Sequence, residues 1–130
     1  MKRHVCCSKE SSLADGHVEL GITYFEAGEY DEAVTEFKEA ISINPNHATA
    51  HNGLGATYFN QGKYDLAAKF CQKAIAIDPE NADAHGSLGL AYYYQDKYDL
   101  AIESFQKAIA IAPEVAEVHR LLATAHKAQG

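Results

Sequence analysis

The sequence predicts an all-α protein in which pairs of helices stack as a solenoid. The first observation is a period of 34 residues, since the stretch 48–81 is copied at 82–115, preceded by a divergent copy at 14–47 and followed by half a copy at 116–130. The second is that apolar residues within a copy recur at the three- and four-residue spacings of two helix faces. A fixed period of this length is typical of stacked helical arrays. We therefore predict three helix-turn-helix units and a seventh helix that caps the array.

Glycine and proline predict where the helices of each copy end. Gly28 and Gly62 stand where a left-handed residue ends the first helix, and Asp96 takes this place in the third copy. The second helix should stop before a proline, because proline disfavours helix in the residue before it. These prolines are Pro45, Pro79 and Pro113. An aspartate is the expected N-cap of each second helix. These aspartates are Asp31, Asp65 and Asp99.

Small residues inside the helices indicate close packing. Gly21, Gly55 and Gly89 lie within the first helices, where glycine costs about 1 kcal/mol relative to alanine. Because this cost recurs in every copy, we expect the second helix to approach closely at these positions. The opposing surface is predicted to be Ala33, Ala67 and Ala101, and the space around it is predicted to be filled by Leu20, Leu54, Leu88, Leu122, Tyr24, Tyr58, Tyr92, Ile41, Ile75 and Ile109.

These residues resemble the tetratricopeptide repeat family. The pattern is Leu-Gly-x-x-Tyr at 20–24, 54–58 and 88–92, alanine at 33, 67, 101, 40, 74 and 108, an aromatic at 37 and 105, and proline at 45, 79 and 113. The resemblance covers residues 14–130 and implies a right-handed α-solenoid of three repeats plus a capping helix. Two features depart from the family pattern. Histidine replaces a common aromatic at His17, His51, His85 and His119, and Cys71 replaces the ring of Phe37 and Phe105.

The two departures lead to separate expectations. The four histidines are expected to be half-buried structural residues, because stacked helices lie about 8–10 Å apart and cannot share one zinc ion. Since Cys71 replaces a ring, either Phe70 turns to compensate or the second and third copies meet less tightly. A Cys71→Phe change is then expected to be neutral or stabilising.

The predicted domain organisation is a flexible N-terminal tail at 1–12 and a repeat domain at 13–130, with repeats at 14–47, 48–81 and 82–115 and a capping helix at 116–130. The segment from Ser12 to Asp15 has the capping-box spacing, so the first helix is predicted to begin at Leu13. The tail contains His4, Cys6 and Cys7. A structural zinc site needs four ligands, so we expect a disordered terminus there and not a metal site.

Composition excludes several classes of function. The net charge of −7 argues against a general nucleic-acid surface. No apolar run approaches the roughly 20 residues that a membrane span needs. Three cysteines without CxxC spacing indicate a reducing compartment, and the cytoplasm is the expected location. The sequence has no phosphate loop, no nucleophile and base at a known spacing, and no complete metal set. We therefore expect no enzyme activity, catalytic residue, cofactor or bound metal.

The resemblance implies a protein-interaction function. In this family the first helices line a concave groove that usually holds a peptide or a segment of another protein. The chain is therefore predicted to be an adaptor or scaffold. The predicted groove residues are Glu19, Ile22, Phe25, Glu26, Asn52, Ala56, Phe59, Asn60, Ser87, Leu90, Tyr93, Tyr94 and Arg120. Among them Phe25, Phe59 and Tyr93 recur as an aromatic stripe, whose rings either face the groove or pack between neighbouring first helices.

The charges of this surface predict its partners. The first half of the groove is acidic, so an apolar ligand with some basic residues is expected. Chaperone-binding members of the family clamp a C-terminal carboxylate with cationic and amide side chains. Here those positions are Val18, Ile22, Gly53, Asp83 and Ser87, and because none is cationic we expect no binding of Hsp70 or Hsp90 tails. The alternative function is a self-associating structural array that forms homo-oligomers, favoured by the near-identical second and third copies.

Overall fold

A computed structural model describes residues 2–114 and 116–129, with side chains from residue 12 onward except that of Ala116. Within these residues the chain forms seven helices and no strand. The helices are α1 (Lys2–Glu26), α2 (Tyr30–Ile43), α3 (Ala48–Asn60), α4 (Tyr64–Ile77), α5 (Ala82–Tyr94), α6 (Tyr98–Ile111) and α7 (Ala116–Gln129). The predicted all-α helical repeat solenoid is confirmed.

The helices form two layers. Each first helix (α1, α3, α5) packs against its own second helix (α2, α4, α6), and each second helix packs against the first helix of the next copy. The helices α1, α3, α5 and α7 also contact one another in that order, whereas within the described residues α2, α4 and α6 make no contact among themselves. The array therefore curves with the first helices on its inner side, and their shared inner face is the groove.

The turns between paired helices have the predicted geometry. Gly28 and Gly62 have φ angles of 82° and 79°, and Asp96 has a φ angle of 65°. These are left-handed conformations that glycine adopts without cost and that aspartate tolerates. The second helices end at Ile43, Ile77 and Ile111, two residues before each proline. Both predictions of helix ends are confirmed.

The prediction that aspartates cap the second helices is wrong. These helices begin at a tyrosine, so their N-caps are Glu29, Lys63 and Lys97, none of which makes a side-chain cap hydrogen bond. Each aspartate lies in the first turn, where the helix dipole favours negative charge. There it accepts a hydrogen bond from the side-chain N–H of a glutamine 30 residues later. The three pairs, Asp31–Gln61, Asp65–Gln95 and Asp99–Gln129, tie each second helix to the end of the next first helix.

The start of α1 also differs from the prediction. The helix begins at Lys2 and not at Leu13. Residues 2–11 contain neither glycine nor proline, so nothing in the backbone stops the helix, and Ser12 continues it. The side chains of His4, Cys6 and Cys7 lie outside the described residues. The domain boundary at residue 12 stays a prediction.

The close approach at the glycines is confirmed, but the opposing group is different. An ideal Cβ on Gly21 would lie 2.8 Å from the ring of Phe37, and one on Gly89 would lie 2.6 Å from the ring of Phe105. In the second copy a Cβ on Gly55 would lie 2.7 Å from Sγ of Cys71. The alanines predicted to face the glycines are buried, and in the second copy the carbonyl oxygen of Ala67 does face Gly55, at 3.1 Å from the Cβ position. The side chain at position 37, 71 or 105 is therefore the nearest group, and its closeness is the reason that glycine is needed.

The ring of Phe37 is enclosed from two sides. A Cβ on Gly53 of α3 would lie 2.5 Å from the same ring that covers Gly21 of α1. Phe37 therefore lies between two glycines that belong to neighbouring copies. In the second copy Phe70 does not take over this role, because its ring packs on Tyr58 and His51, with centroids 5.6 and 6.1 Å apart.

One predicted core residue is exposed. Leu54 is fully buried where α2 packs against α3, but Leu20 at the same position of α1 is 49% exposed. No described helix covers that side of α1. The prediction that Leu20 fills the core is therefore wrong, because burial at this position depends on a second helix before it.

Three of the four repeated histidines tie neighbouring copies together. Nε2 of His51, His85 and His119 lies 2.9, 3.0 and 2.9 Å from the carbonyl oxygens of Pro45, Pro79 and Pro113, respectively, so each imidazole donates to the end of the preceding copy. His51 and His85 are buried and His119 is exposed. In α1, half-buried His17 instead pairs with Glu36 at 2.7 Å. The histidines thus make structural contacts, as predicted, but the predicted half-burial holds only for His17.

Candidate peptide-binding groove

The groove contains a hollow between α1 and α3 that reaches the start of α5. Its volume is about 270 Å³, and its lining residues are Ile22, Phe25, Glu26, Phe37, Thr49, Asn52, Gly53, Ala56 and Asp83. Gly53 and Ala56 give it a floor of small residues, and the ring of Phe37 lies directly beneath Gly53. A ligand backbone could therefore approach α3 closely.

A second hollow lies between α5 and α7. Its volume is about 220 Å³, and its lining residues are Ala82, Asp83, Gly86, Ser87, Leu90, Ala108, Glu117, Val118 and Leu121. Asp83 lines both hollows, so its carboxylate stands where they meet. The two hollows together make a continuous inner surface across the first helices.

The charges of both hollows are of one sign. The first hollow carries Glu26 and Asp83, and the second carries Asp83 and Glu117. None of the residues that line either hollow is a lysine or an arginine. The charged side chains that line both hollows are therefore all carboxylates.

Asn52, which lines the first hollow, has a side-chain oxygen that is closed to solvent. Its side-chain oxygen Oδ1 is buried and has no hydrogen-bond partner in the described protein. Buried side-chain oxygens in folded proteins are nearly always hydrogen-bonded, so an exception needs an explanation. Oε1 of Gln61 and of Gln95 is likewise buried without a partner, and neither residue lines the first hollow, so the missing partner is not specific to the groove.

The aromatic stripe is packed mainly within each copy. Its rings contact the tyrosine that begins the second helix, with centroid distances of 5.8 Å for Phe25–Tyr30, 5.4 Å for Phe59–Tyr64 and 5.4 Å for Tyr93–Tyr98. Phe25, Phe59 and Tyr93 are all half-buried. The contact of Phe59 with Tyr94, at 5.1 Å, also joins two neighbouring first helices. Tyr94 is 52% exposed at the edge of this cluster.

The structure brings together part of the predicted groove set. Seven of its residues line the hollows, namely Ile22, Phe25, Glu26, Asn52 and Ala56 in the first, and Ser87 and Leu90 in the second. The other six, Glu19, Phe59, Asn60, Tyr93, Tyr94 and Arg120, line neither. The other lining residues are not in that set, namely Phe37, Thr49, Gly53, Ala82, Asp83, Gly86, Ala108, Glu117, Val118 and Leu121. The sequence signal that Phe37 reaches the groove was Gly53, because the third copy has Ser87 and not glycine at the equivalent position.

The described residues do not indicate a reactive thiol, a metal site or a membrane span. Burial raises the pKa of the Cys71 thiol to about 12, so the group stays protonated and unreactive near neutral pH. No three metal-ligating side chains come together in the residues whose side chains are described. His47, a possible ligand beside His51, bonds instead to Asp15 at 2.7 Å and to the backbone N–H of Ala50. None of the described helices is long and apolar enough to cross a membrane.

Comparisons with known proteins agree with the pattern of turns and core residues. A family model described as Tetratricopeptide repeat matches residues 46–114, more than half of the chain, and a second, described as TPR repeat, matches residues 21–62. The chain belongs to the tetratricopeptide repeat family. A search of curated proteins gave no match.

Three solved structures illustrate the likeness of this tetratricopeptide repeat protein. The first TPR of Spaghetti (RPAP3) bound to HSP90 peptide SRMEEVD is 24% identical with a TM-score of 0.89, and the match covers 92% of this chain and 97% of that chain. The Arabidopsis OM64 TPR domain is 23% identical with a TM-score of 0.88, covering 91% and 98%. MamA is 29% identical with a TM-score of 0.84, covering 90% and 68%. These likenesses establish the fold, and the family is one of protein–protein interaction modules that are generally non-enzymatic.

Proposed function

We propose that this tetratricopeptide repeat domain is a non-enzymatic adaptor that binds a peptide or protein segment along its groove. The observation that carries the proposal is the first hollow itself, in which Ile22, Phe25 and Ala56 lie with Glu26 and Asp83. Such a site offers an acceptor for a ligand N–H and apolar surface for its side chains. Ligand sites usually have apolar walls that carry only a few polar groups.

The charges of the groove select the ligand. Glu26 and Asp83 lie in the same hollow as Ile22 and Phe25. A lysine or arginine of the ligand would make charge-assisted hydrogen bonds with the two carboxylates, while an apolar side chain beside it would cover Ile22 and Phe25. The ligand is therefore a segment that is apolar with basic residues.

The same charges argue against a carboxylate clamp. Spaghetti is bound to a peptide that ends Glu-Glu-Val-Asp. At the positions where clamp members of the family carry cationic or amide side chains, this chain has Val18, Ile22 and Asp83 among others, and Asp83 lines both hollows. An acidic tail would place its carboxylates beside Glu26 and Asp83, where like charges repel.

Titration with labelled peptides tests the proposal. We expect a peptide of apolar and basic residues to bind at least about tenfold more tightly than SRMEEVD, because its cations would meet Glu26 and Asp83 while the carboxylates of SRMEEVD would be repelled by them. A factor of ten corresponds to about 1.4 kcal/mol. Glu26→Gln and Asp83→Asn should each weaken the binding of the basic peptide. Glu114→Gln is the matched control, because Glu114 is exposed in a turn away from both hollows. Tighter binding of SRMEEVD would overturn the proposal.

A further inference from the structure

The outward side of α4 carries apolar and basic residues on one helical face. Leu66, Lys69, Phe70 and Lys73 are spaced at i, i+3, i+4 and i+7, which places them on one side of the helix. Leu66 is 37% exposed, both lysines are exposed, and Phe70 is half-buried. The Nζ atoms of Lys69 and Lys73 lie 5.8 and 5.0 Å from the centre of the Phe70 ring. These four residues are termed the α4 ridge.

The α4 ridge differs in charge from the same positions in the other copies. In α2 those positions are Glu32, Thr35, Glu36 and Glu39, and in α6 they are Leu100, Glu103, Ser104 and Lys107. The middle copy is the only one in which none of the four positions carries a carboxylate. The repeat fold does not require this difference, because all three second helices pack in the same way. It therefore points to a surface property of α4.

The α4 ridge has the composition that the groove selects. The groove presents Glu26 and Asp83 beside Ile22 and Phe25, and the ridge presents two lysines beside Leu66 and Phe70. Lys69 and Lys73 are one helical turn apart, about 6 Å between Cβ atoms, so both reach into one site. An amphipathic helix laid in an apolar groove is a common mode of protein recognition.

We propose that the α4 ridge of one molecule docks into the groove of a second copy of this chain. The proposal rests on the proposed function of the groove, because it names the occupant of that same surface. The small floor at Gly53 and Ala56 admits the helix, and Glu26 and Asp83 pair with Lys69 and Lys73. The counterpart face of α2 is excluded, since its glutamates would meet carboxylates of the same sign.

The geometry of this contact makes the association heterologous, so copies add head to tail unless they close into a ring. The ridge belongs to a second helix and the groove to the first helices, so the two surfaces lie in different layers of the array. A contact between two different surfaces is heterologous, and each added copy leaves one free groove and one free ridge. The assembly therefore grows head to tail with concentration. Its exposed ion pairs make it weaken as salt rises.

Sedimentation velocity on the full chain over a wide range of concentrations tests the proposal. We expect the weight-average mass to rise with concentration at low salt and to fall at high salt. Lys69→Gln/Lys73→Gln should weaken self-association at least about tenfold, and Glu26→Gln/Asp83→Asn should do the same. The matched control is Lys38→Gln/Lys107→Gln, which removes two lysines from α2 and α6 and should leave association unchanged. Thermal melts confirm that every variant is folded.

Mixing the two deficient variants gives the decisive result. The ridge variant keeps an intact groove and the groove variant keeps an intact ridge, so an equimolar mixture should form a 1:1 dimer that does not grow. A mixture that stays monomeric, or a wild-type chain that is monomeric at every concentration, overturns the proposal. Titration with the basic peptide distinguishes a failure of self-association from a failure of peptide binding in the groove. If the monomeric chain binds the basic peptide, the proposed function stands without self-association.

Discussion

The junction between the first and second copies and the junction between the second and third use different side chains in the same helix arrangement. At the first junction the ring of Phe37 lies between Gly21 and Gly53. At the second, Cys71 stands in place of the ring, beside Gly55, and Ser87 occupies the position of Gly53. Phe37 and Cys71 are both buried. Phe37 with two glycines at the first junction and Cys71 with one glycine at the second therefore fill equivalent spaces.

The difference shows what the glycines do. Gly53 lies inside α3 with ordinary helical conformation, where glycine costs about 1 kcal/mol relative to alanine. Burying a phenyl ring contributes more than this cost, about 2–3 kcal/mol. At the first junction Gly53 and the ring are consequently matched, whereas at the last junction Phe105 shares a core cluster with Leu121, which stands at the position of Gly53. At the first two junctions, exchanging one member without the other should be unfavourable. The predictions below test that pairing, in order of expected effect.

Phe37→Ala should cost about 3–5 kcal/mol of unfolding free energy, because it leaves a cavity the size of a ring between two helices. Cys71→Ala removes a single sulfur and should cost about 1 kcal/mol. Urea unfolding followed by circular dichroism measures both. Equal losses for the two variants would show that the ring is not the main contact of the first junction.

Cys71→Phe should destabilise the protein by about 1–3 kcal/mol through overpacking. The reason is that a Cβ at Gly53 would lie 2.5 Å from the Phe37 ring, and Ser87 has such a Cβ at the second junction. This geometry argues against the sequence-based expectation of a neutral or stabilising change.

Adding Ser87→Gly to Cys71→Phe should recover about 1 kcal/mol or more, since the second junction then has the residues of the first. The coupling energy from the double-mutant cycle should be about 0.5–3 kcal/mol and favourable. Strict additivity of the two changes would contradict the pairing of ring and glycine.

Gly53→Ala should lower stability by about 1 kcal/mol, since a clash of about 1–3 kcal/mol outweighs the gain in helix propensity. Gly16→Ala is the matched control, because a Cβ there meets nothing within 4 Å. That variant should be stabilised by up to about 1 kcal/mol. Thermal melts of the two variants should therefore shift in opposite directions.

The second junction should also respond to alkaline pH. Burial raises the pKa of Cys71 to about 12 from 9.0. Above pH 9 the unfolded thiol loses its proton while the folded thiol keeps it, so stability falls as pH rises toward 12. By pH 10 the loss should be about 1 kcal/mol. Comparison with Cys71→Ala removes the contribution of tyrosine and lysine, and parallel pH profiles would contradict the burial of a thiol.

The fold could be predicted from the sequence because its determinants are local and repeat. A left-handed residue at Gly28, Gly62 and Asp96 and a proline after each second helix act on the backbone where they stand. The N-caps could not be assigned in this way. Asp31 fits a cap by type, but its partner is Gln61, 30 residues away, and only the stacked structure brings the two together.

The groove could be predicted in part. Ile22, Glu26 and Ala56 follow from their register on the first helices. Phe37 does not, because it belongs to a second helix and reaches the hollow only through the gap left by Gly53. The partners of the aromatic stripe could have been predicted, since Tyr30, Tyr64 and Tyr98 recur at the same period of 34 residues.

The histidine–proline and aspartate–glutamine ties recur at the same positions in each copy. A duplicate of residues 48–81 inserted after Asn81 would therefore find Pro79 ahead of its histidine and would offer an aspartate to Gln95. Its glycine at the position of Gly53 would face a cysteine and leave a small void. Array length is thus adjustable in whole units, and evolution by duplication needs to solve only the packing of one side chain at each new seam.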